Sequence, residues 1–299
     1  MSLPTNVTIR PATSADLPAL VAVWYATEVA GEERPPPAPA MLPDLPHILA
    51  HGSLLLAERN GQVVGFAGAV LRDGVAFLTD LFVHPGEQSG GVGALLLGRI
   101  FAPHGMAVRC TIGSADPRAL SLYIRAGMQP QWQFFLLTGR PALPERLPAS
   151  AIVAAEALPG DPKLIAWDAA IGGRRRPEDH RHWVERQGGA PLWLLRDGER
   201  IGYGYARLRA GTMRDPTTAR LGPLGVRSGA DAREALVALV AWTAQHAPTQ
   251  RIELPGPHPA LADLLGAGFR IDSVDTFLSS APTPFFDPVC YIGSGGSLL

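Results

Sequence analysis

Hydrophobic and polar residues alternate over Val7 to Arg10, the period of a half-buried strand. Ser14 to Val29 then reads as a helix, and Pro35 to Pro39 as a proline-rich loop. Leu54–Ala57 and Phe66–Leu71 are strand-like runs on either side of Asn60-Gly61, a dipeptide that favours a two-residue hairpin turn. A further apolar run, Phe77 to Val83, leads through a glycine-rich segment into Ala94–Ala102, which predicts a helix from Gly93. A strand is expected at Ala107–Ile112. Asp116 is a good N-cap, Pro117 suits the first helical position, and Ala119, Leu122, Tyr123 and Ala126 fall on one face of a helix that Gly127 ends. A last strand is expected near Gln133–Leu137. Strands with interspersed helices predict a mixed α/β fold.

The pattern then repeats. Asn60-Gly61-Gln62-Val63-Val64-Gly65 returns as Asp197-Gly198-Glu199-Arg200-Ile201-Gly202, again between strand-like runs, Leu192–Leu195 and Tyr203–Leu208. Ala126-Gly127-Met128 returns as Ala267-Gly268-Phe269, and the apolar helix Leu95–Phe101 has a counterpart in Ala235–Trp242. Prolines at 141, 144 and 148 mark a linker. Domains are therefore expected at 1–140 and 151–285, joined by a linker at 141–150. Residues 286–299 form a tail, expected to fray beyond its Phe285-Phe286 anchor.

Composition narrows the possibilities. A chain of 299 residues with 46% hydrophobic and 18% charged residues suits two well-cored units. A net charge of −1 favours neither nucleic acid nor a membrane surface as a partner. The sharpest basic run, Arg174-Arg175-Arg176, reads as a solvated turn after Gly172-Gly173. Two cysteines, Cys110 and Cys290, make no disulfide framework, and no Cys or His spacing suits a metal. No signal pattern and no long apolar run stand in the sequence, so a cytoplasmic protein, monomer or homodimer, is expected.

The candidate chemistry lies at Val83 to Leu96. A strand, a glycine turn and a helix start make an anion cradle: the helix N-terminus offers unpaired N–H groups, and glycines let the backbone approach a phosphate. The spacing is neither G-x-x-x-x-G-K-[ST] nor G-x-G-x-x-G. An ordinary glycine turn before a helix would use the same residue types.

Gln88-x-x-Gly91-x-Gly93 before an apolar helix resembles the coenzyme A pyrophosphate loop of the GNAT acetyltransferase superfamily. Asp116 to Met128 resembles that superfamily's N-x-x-A-x-x-x-Y-x-x-x-G-F pattern, with Asp116 for Asn and Met128 for Phe. The resemblance covers most of residues 5–140. It implies two tandem GNAT-like domains, each a mostly antiparallel central sheet flanked by helices, with acetyl-CoA as co-substrate and no metal. It implies that Phe82 and Val83 present a strand edge to the pantetheine and that Gln88, Ser89, Gly90, Gly91, Val92, Gly93 and Ala94 hold the pyrophosphate. Asp116 and Ser121 join that set, although a carboxylate at 116 cannot donate as the family's amide does. The resemblance places Tyr123 near the coenzyme sulfur, as acid toward the leaving thiolate; an aromatic core anchor would look the same.

Asp80 is the candidate base, because a lone carboxylate in an apolar run is costly to bury unless it has a purpose or a partner. Glu28, Glu32 and Glu33 could attract a cationic acceptor or simply be a solvated helix end. In the second half, Arg227-Ser228-Gly229-Ala230-Asp231-Ala232-Arg233-Glu234 has lost the cradle's glycines and carries negative charge, and Leu264 replaces Tyr123. That half is expected to pack on the first and shape the acceptor site. The expected reaction is acetyl-CoA-dependent N-acetylation of a small-molecule or peptide amine by direct attack. Longer-chain acyl transfer and non-catalytic acyl-CoA binding are the alternatives.

Overall fold

The computed structural model describes residues 6–105, 107–140, 147–296 and 298–299. Its first half runs β1 (Val7–Pro11), α1 (Leu17–Glu28), α2 (Leu45–His51), β2 (Ser53–Arg59), β3 (Gln62–Arg72), β4 (Val75–Val83), α3 (Val92–Phe101), β5 (Val108–Gly113), α4 (Pro117–Arg125) and β6 (Gln129–Gly139). The second runs β7 (Ile152–Glu156), α5 (Pro162–Gly172), α6 (Pro177–Gln187), β8 (Gly189–Arg196), β9 (Glu199–Arg207), β10 (Ala219–Val226), α7 (Ala232–Ala244), β11 (Gln250–Pro255), α8 (Leu261–Gly266), β12 (Arg270–Ser279) and β13 (Tyr291–Ile292). The short helix α2 was not expected from the sequence pattern. Most of the expected linker, residues 141–146, lies outside the described residues.

The repeat is visible in backbone detail. Asn60 and Gly61 take φ of 51° and 77°, and Asp197 and Gly198 take 51° and 82°, so both hairpins use the twist-matched turn with two left-handed residues. The Met128 N–H donates to the Tyr123 carbonyl as the Phe269 N–H donates to the Leu264 carbonyl. Leu264 therefore stands at the place of Tyr123, as the sequence alignment of the halves implied.

The halves do not form two sheets. All strands share one 13-stranded sheet in the order β1-β2-β3-β4-β5-β12-β6-β11-β10-β9-β8-β7, with β13 on β10. Among the described strands only β4–β5 and β10–β11 are parallel. Each half places its last full strand inside the other: β12 lies between β5 and β6, and β6 lies between β12 and β11. The exchange extends into the core. Phe277 of β12 is fully buried in one cluster with Leu20, Phe66 and Phe134 of the first half. Polar contacts add to the junction: Asp44 accepts from His182 and Gln187, and His47 pairs with Asp179 at 2.7 Å.

Two sequence expectations fail, both through tertiary packing. The tail is not frayed: Phe286, Tyr291, Ile292, Leu298 and Leu299 are buried, and β13 extends the sheet. Arg174 and Arg176 are not solvated; only Arg175 is exposed. Arg176 forms a two-pronged pair with buried Asp168, which also accepts from His180 and Tyr203. Burial alone would raise the Asp168 pKa, but the Arg176 guanidinium holds it well below the usual carboxylate range. Both arginines also donate to the Leu299 carbonyl oxygen, so the basic run anchors the tail.

Candidate functional site

The site arises where the sheet fails to stay closed. The β4–β5 pairing runs from Val75↔Val108 to Leu78↔Thr111 and stops there. On the other side of β4, Gly68 pairs with Asp80 and Ala69 with Leu78, leaving Thr79 as an extra residue, a β-bulge. Beyond it, Asp80 to Val83 keep their β3 partners but have none on β5, so strand edge is exposed. A cavity of about 960 Å³ opens in this gap, within the range of small-molecule sites.

The cradle closes one end of the gap. Ser89 and Gly91 are left-handed, at φ of 64° and 86°, and Gly91 caps α3. None of the backbone N–H groups from Gln88 to Ala94 has a hydrogen-bond partner among the described residues. The Gln88 side chain donates to the Val83 carbonyl at 3.0 Å and so pins the loop to the end of β4. Phe82, Val83, Gln88, Ser89, Gly91, Gly93 and Ala94 line the cavity. Gly90 and Val92 do not; Gly90 is exposed, and the Val92 side chain is buried in the core beneath α3.

Asp80 and Tyr123 line the same cavity. Asp80 is 8% exposed and accepts one hydrogen bond, from Thr79 Oγ1 at 2.7 Å to its Oδ2. Burial pushes its pKa up to about 6, which the Thr79 bond opposes and the nearby Asp44 charge adds to. A side chain at Gly68 would bring its Cβ to 2.5 Å from Thr79 Oγ1 and 3.0 Å from Asp80 Oδ2, so glycine at 68 makes room for the pair. The Tyr123 hydroxyl has no hydrogen-bond partner among the described residues, although the residue is only 6% exposed. Burial, then the Asp116 and Asp80 charges, raise its pKa to about 12.

Asp116 and Ser121 also line the cavity. The Asp116 carboxylate caps α4 through the Arg118 N–H and pairs with the Arg118 guanidinium, whose hydrogen bonds keep its pKa low. Arg118 and Arg125 add positive charge along α4 that sequence reading did not single out. Trp24, Thr27, Glu28, Asp275 and Gly296 also line the cavity, and Thr27 Oγ1 donates to the Val83 carbonyl at 3.4 Å. Of these, Asp275 and Gly296 come from the second half, and nothing in their local pattern signals the site. Glu32 is engaged elsewhere, by Arg214.

The second half lacks an equivalent opening. Its β10–β11 pairing covers only Ala219↔Gln250 and Arg220↔Arg251, but β13 then takes the slot, pairing Leu224 with Ile292 and Gly225 with Tyr291. Asp231 and Glu234, at the degraded cradle, pair with Arg196. Among the described residues no helix is long and apolar enough to cross a membrane, and no group of three or more His, Cys, Asp or Glu is placed to hold a metal ion.

Residues 20–128 match the model of the acetyltransferase (GNAT) family. No curated protein matches the chain. Solved structures match over nearly its whole length. One from Pyrococcus horikoshii has TM-score 0.75 and 16% identity, covering 98% of this chain and 96% of that one. A GCN5-related N-acetyltransferase from Sphaerobacter thermophilus has TM-score 0.63 and 17% identity, with coverage of 96% and 100%. A tandem GNAT protein from the clavulanic acid biosynthesis pathway has TM-score 0.64 and 17% identity, with coverage of 93% and 100%. At these identities the likeness is one of fold.

Proposed function

Because residues 20–128 carry a domain of the GNAT acetyltransferase family, in a chain with the tandem GNAT fold, we propose that the protein transfers an acetyl group from acetyl-CoA to a primary amine. The reading rests on one observation above others: a buried carboxyl and an unpartnered buried phenol line one gap whose end is a cradle of free N–H groups. The cradle would take the pyrophosphate and the free β4 edge the pantetheine. The amine nitrogen bonds to the thioester carbonyl carbon as the carbon–sulfur bond breaks. The ammonium first loses a proton, and Asp80, ionised above pH 6, accepts it directly or through water.

Tyr123 contributes differently from a full proton donor. A phenol near 12 is a weaker acid than an alkyl thiol, whose pKa is about 8.5. Complete transfer to the thiolate is therefore uphill. Tyr123 stays protonated at working pH and donates a hydrogen bond as charge builds on sulfur; the acylated nitrogen gives its second proton to water, and water returns one to the thiolate.

Thiol release from acetyl-CoA, measured over a panel of amines, tests the reaction. No release with any acceptor, from protein that binds acetyl-CoA, would overturn it. Gly91→Val is expected to weaken acetyl-CoA binding about tenfold or more, because a branched residue resists φ near +86° and adds bulk to the cradle. Calorimetry should find one site per chain in the native protein, since β13 fills the slot in the second half. Two equivalent sites, or wild-type affinity in the variant, would refute this.

Asp80 should show opposite effects on rate and stability. Its pKa in the folded chain, about 6, lies above the ordinary 3.8. Well below pH 3.8 the group is neutral in both states. As pH rises from there to 6 the unfolded chain ionises while the fold still holds the proton, and about 3 kcal/mol of stability is lost by neutrality. Asp80→Asn is expected to melt higher at pH 7 while losing rate about 10²-fold or more and the acidic limb of its pH profile. A wild-type profile in the variant would assign Asp80 to structure alone.

A further inference from the structure

We propose that the acceptor carries a second positive charge, held by Glu28 of α1 and Asp275 of β12, so that the exchanged strand of the second half builds part of the acceptor site. The proposal rests on the acyl-transfer reading and names its substrate class: a diamine or larger polycationic amine.

The charged residues of the cavity wall are mostly acidic. Among the described lining residues its cations are Arg118 and Arg125, both on α4. The lining carboxylates Glu87 and Asp116 pair with Arg59 and Arg118, whereas Glu28, Asp80 and Asp275 have no cationic partner among the described residues. Neither Glu28 nor Asp275 has a hydrogen bond or ion pair among the described residues, unlike Glu32, Asp44 and Asp272 nearby. Carboxylates facing one another without partners are unfavourable, and a bound cation removes that penalty.

Electrostatics agree with this placement. The Asp275 carboxyl is pushed up to about 6 by burial and then by the charges of Glu253 and Glu28, with only Arg251 opposing. Glu28 is exposed at the cavity, yet desolvation by the surrounding protein raises its pKa, with Glu32 adding and Arg251 opposing. Arg251 is not in the cavity wall. A separate feature points to a ligand in this cavity: Tyr123, a residue only 6% exposed, lines it with a hydroxyl that has no hydrogen-bond partner among the described residues.

The register explains how Asp275 arrives. The β12–β5 pairing ends at Thr276↔Gly113, while β12 continues against β6 with Asp275↔Phe134. Asp275 is thus the first β12 residue beyond the end of β5, at the open gap. A strand from the first half's own sequence does not occupy this position. A side cavity of about 190 Å³ shares Trp24 and Asp80 with the main one and contains Arg220, which would suit an acceptor bearing a carboxylate instead.

The test compares 1,4-diaminobutane, 1-aminobutane and 4-aminobutanoate with the full-length protein. Each is measured for thiol release with acetyl-CoA and, separately, for calorimetric binding. The diamine is expected to be preferred at least tenfold over the monoamine in kcat/KM and to bind tighter. Asp275→Asn and Glu28→Gln should each cut that preference several-fold, with acetyl-CoA affinity retained and a cooperative melt. Equal use of diamine and monoamine by the native protein, or an undiminished preference in both variants, would overturn the proposal. So would a preference for 4-aminobutanoate, which would assign recognition to Arg220. If acetyl-CoA binds but no thiol is released, the acyl-transfer reading fails, while diamine binding and its loss in Asp275→Asn still decide the charge assignment.

Discussion

Residues 6–140 produced alone are expected not to fold cooperatively. Removing the second half takes β12 from between β5 and β6, so the fragment must either leave a gap or re-pair two strands that never meet in the native sheet. It also removes Phe277, Phe286, Tyr291 and Leu298 from the core that holds Leu20, Phe66 and Phe134. Truncating one such aromatic costs about 3–5 kcal/mol, against a total stability of about 5–15 kcal/mol for a typical domain. Losing four buried side chains and a strand exceeds that margin. Thermal melts followed by near-ultraviolet circular dichroism should show no native transition for the fragment. Phe277→Ala in the full chain should melt lower but remain cooperative. A cooperative fragment with native-like tertiary signal would show that β12 is dispensable.

Tyr123→Phe is expected to lower kcat about 10²–10³-fold, the usual loss when one donor to a developing charge is removed. Acetyl-CoA affinity should change little. The hydroxyl makes no hydrogen bond to the described protein, and the ring that packs against the core is retained in phenylalanine. Stability should be equal or slightly higher for the same reason. Rapid-mixing measurement of the transfer step, beside calorimetry with acetyl-CoA, separates the effects. Undiminished turnover with a good acceptor would reduce Tyr123 to a packing residue. A loss confined to acetyl-CoA affinity would place it in ground-state binding instead.

The pH dependence follows from the two groups together. Asp80 must ionise near pH 6, whereas Tyr123 keeps its proton to about 12. Between those values the site holds a base and a donor at once, so activity should climb through pH 6 and then level.

Local information was enough for most of the cradle end of the cavity. The cradle depends on consecutive residues, Gln88 to Ala94, whose glycine spacing and following apolar helix are themselves sequence features. Tyr123 and Asp116 lie on one short helix with its cap and stop signals beside them, and both line the cavity. Asn60-Gly61 and Asp197-Gly198 were legible because turn chemistry is a property of two residues.

Pairing between distant segments was not legible. The two repeats read as separate sheets because a strand's alternation states which face is buried, not which neighbour lies beside it. Only the folded chain decides that β12 enters the first half and brings Asp275 to the gap. The tail looked frayed because glycine and serine dominate it, yet β13 fills the open slot beside β10 and the Leu299 carbonyl meets Arg174 and Arg176. The same arginines looked solvated because nothing adjacent could neutralise them; Asp168, within the preceding helix α5, pairs with Arg176. The sequence by itself determined the cradle, the Tyr123 helix and the repeat, since each rests on contacts within a few residues. The exchanged strands, the occupied second slot and the Asp275 side of the cavity were decided by the tertiary structure, because each requires residues far apart in the sequence to meet, and chain connectivity alone does not encode which of many such meetings buries the most surface.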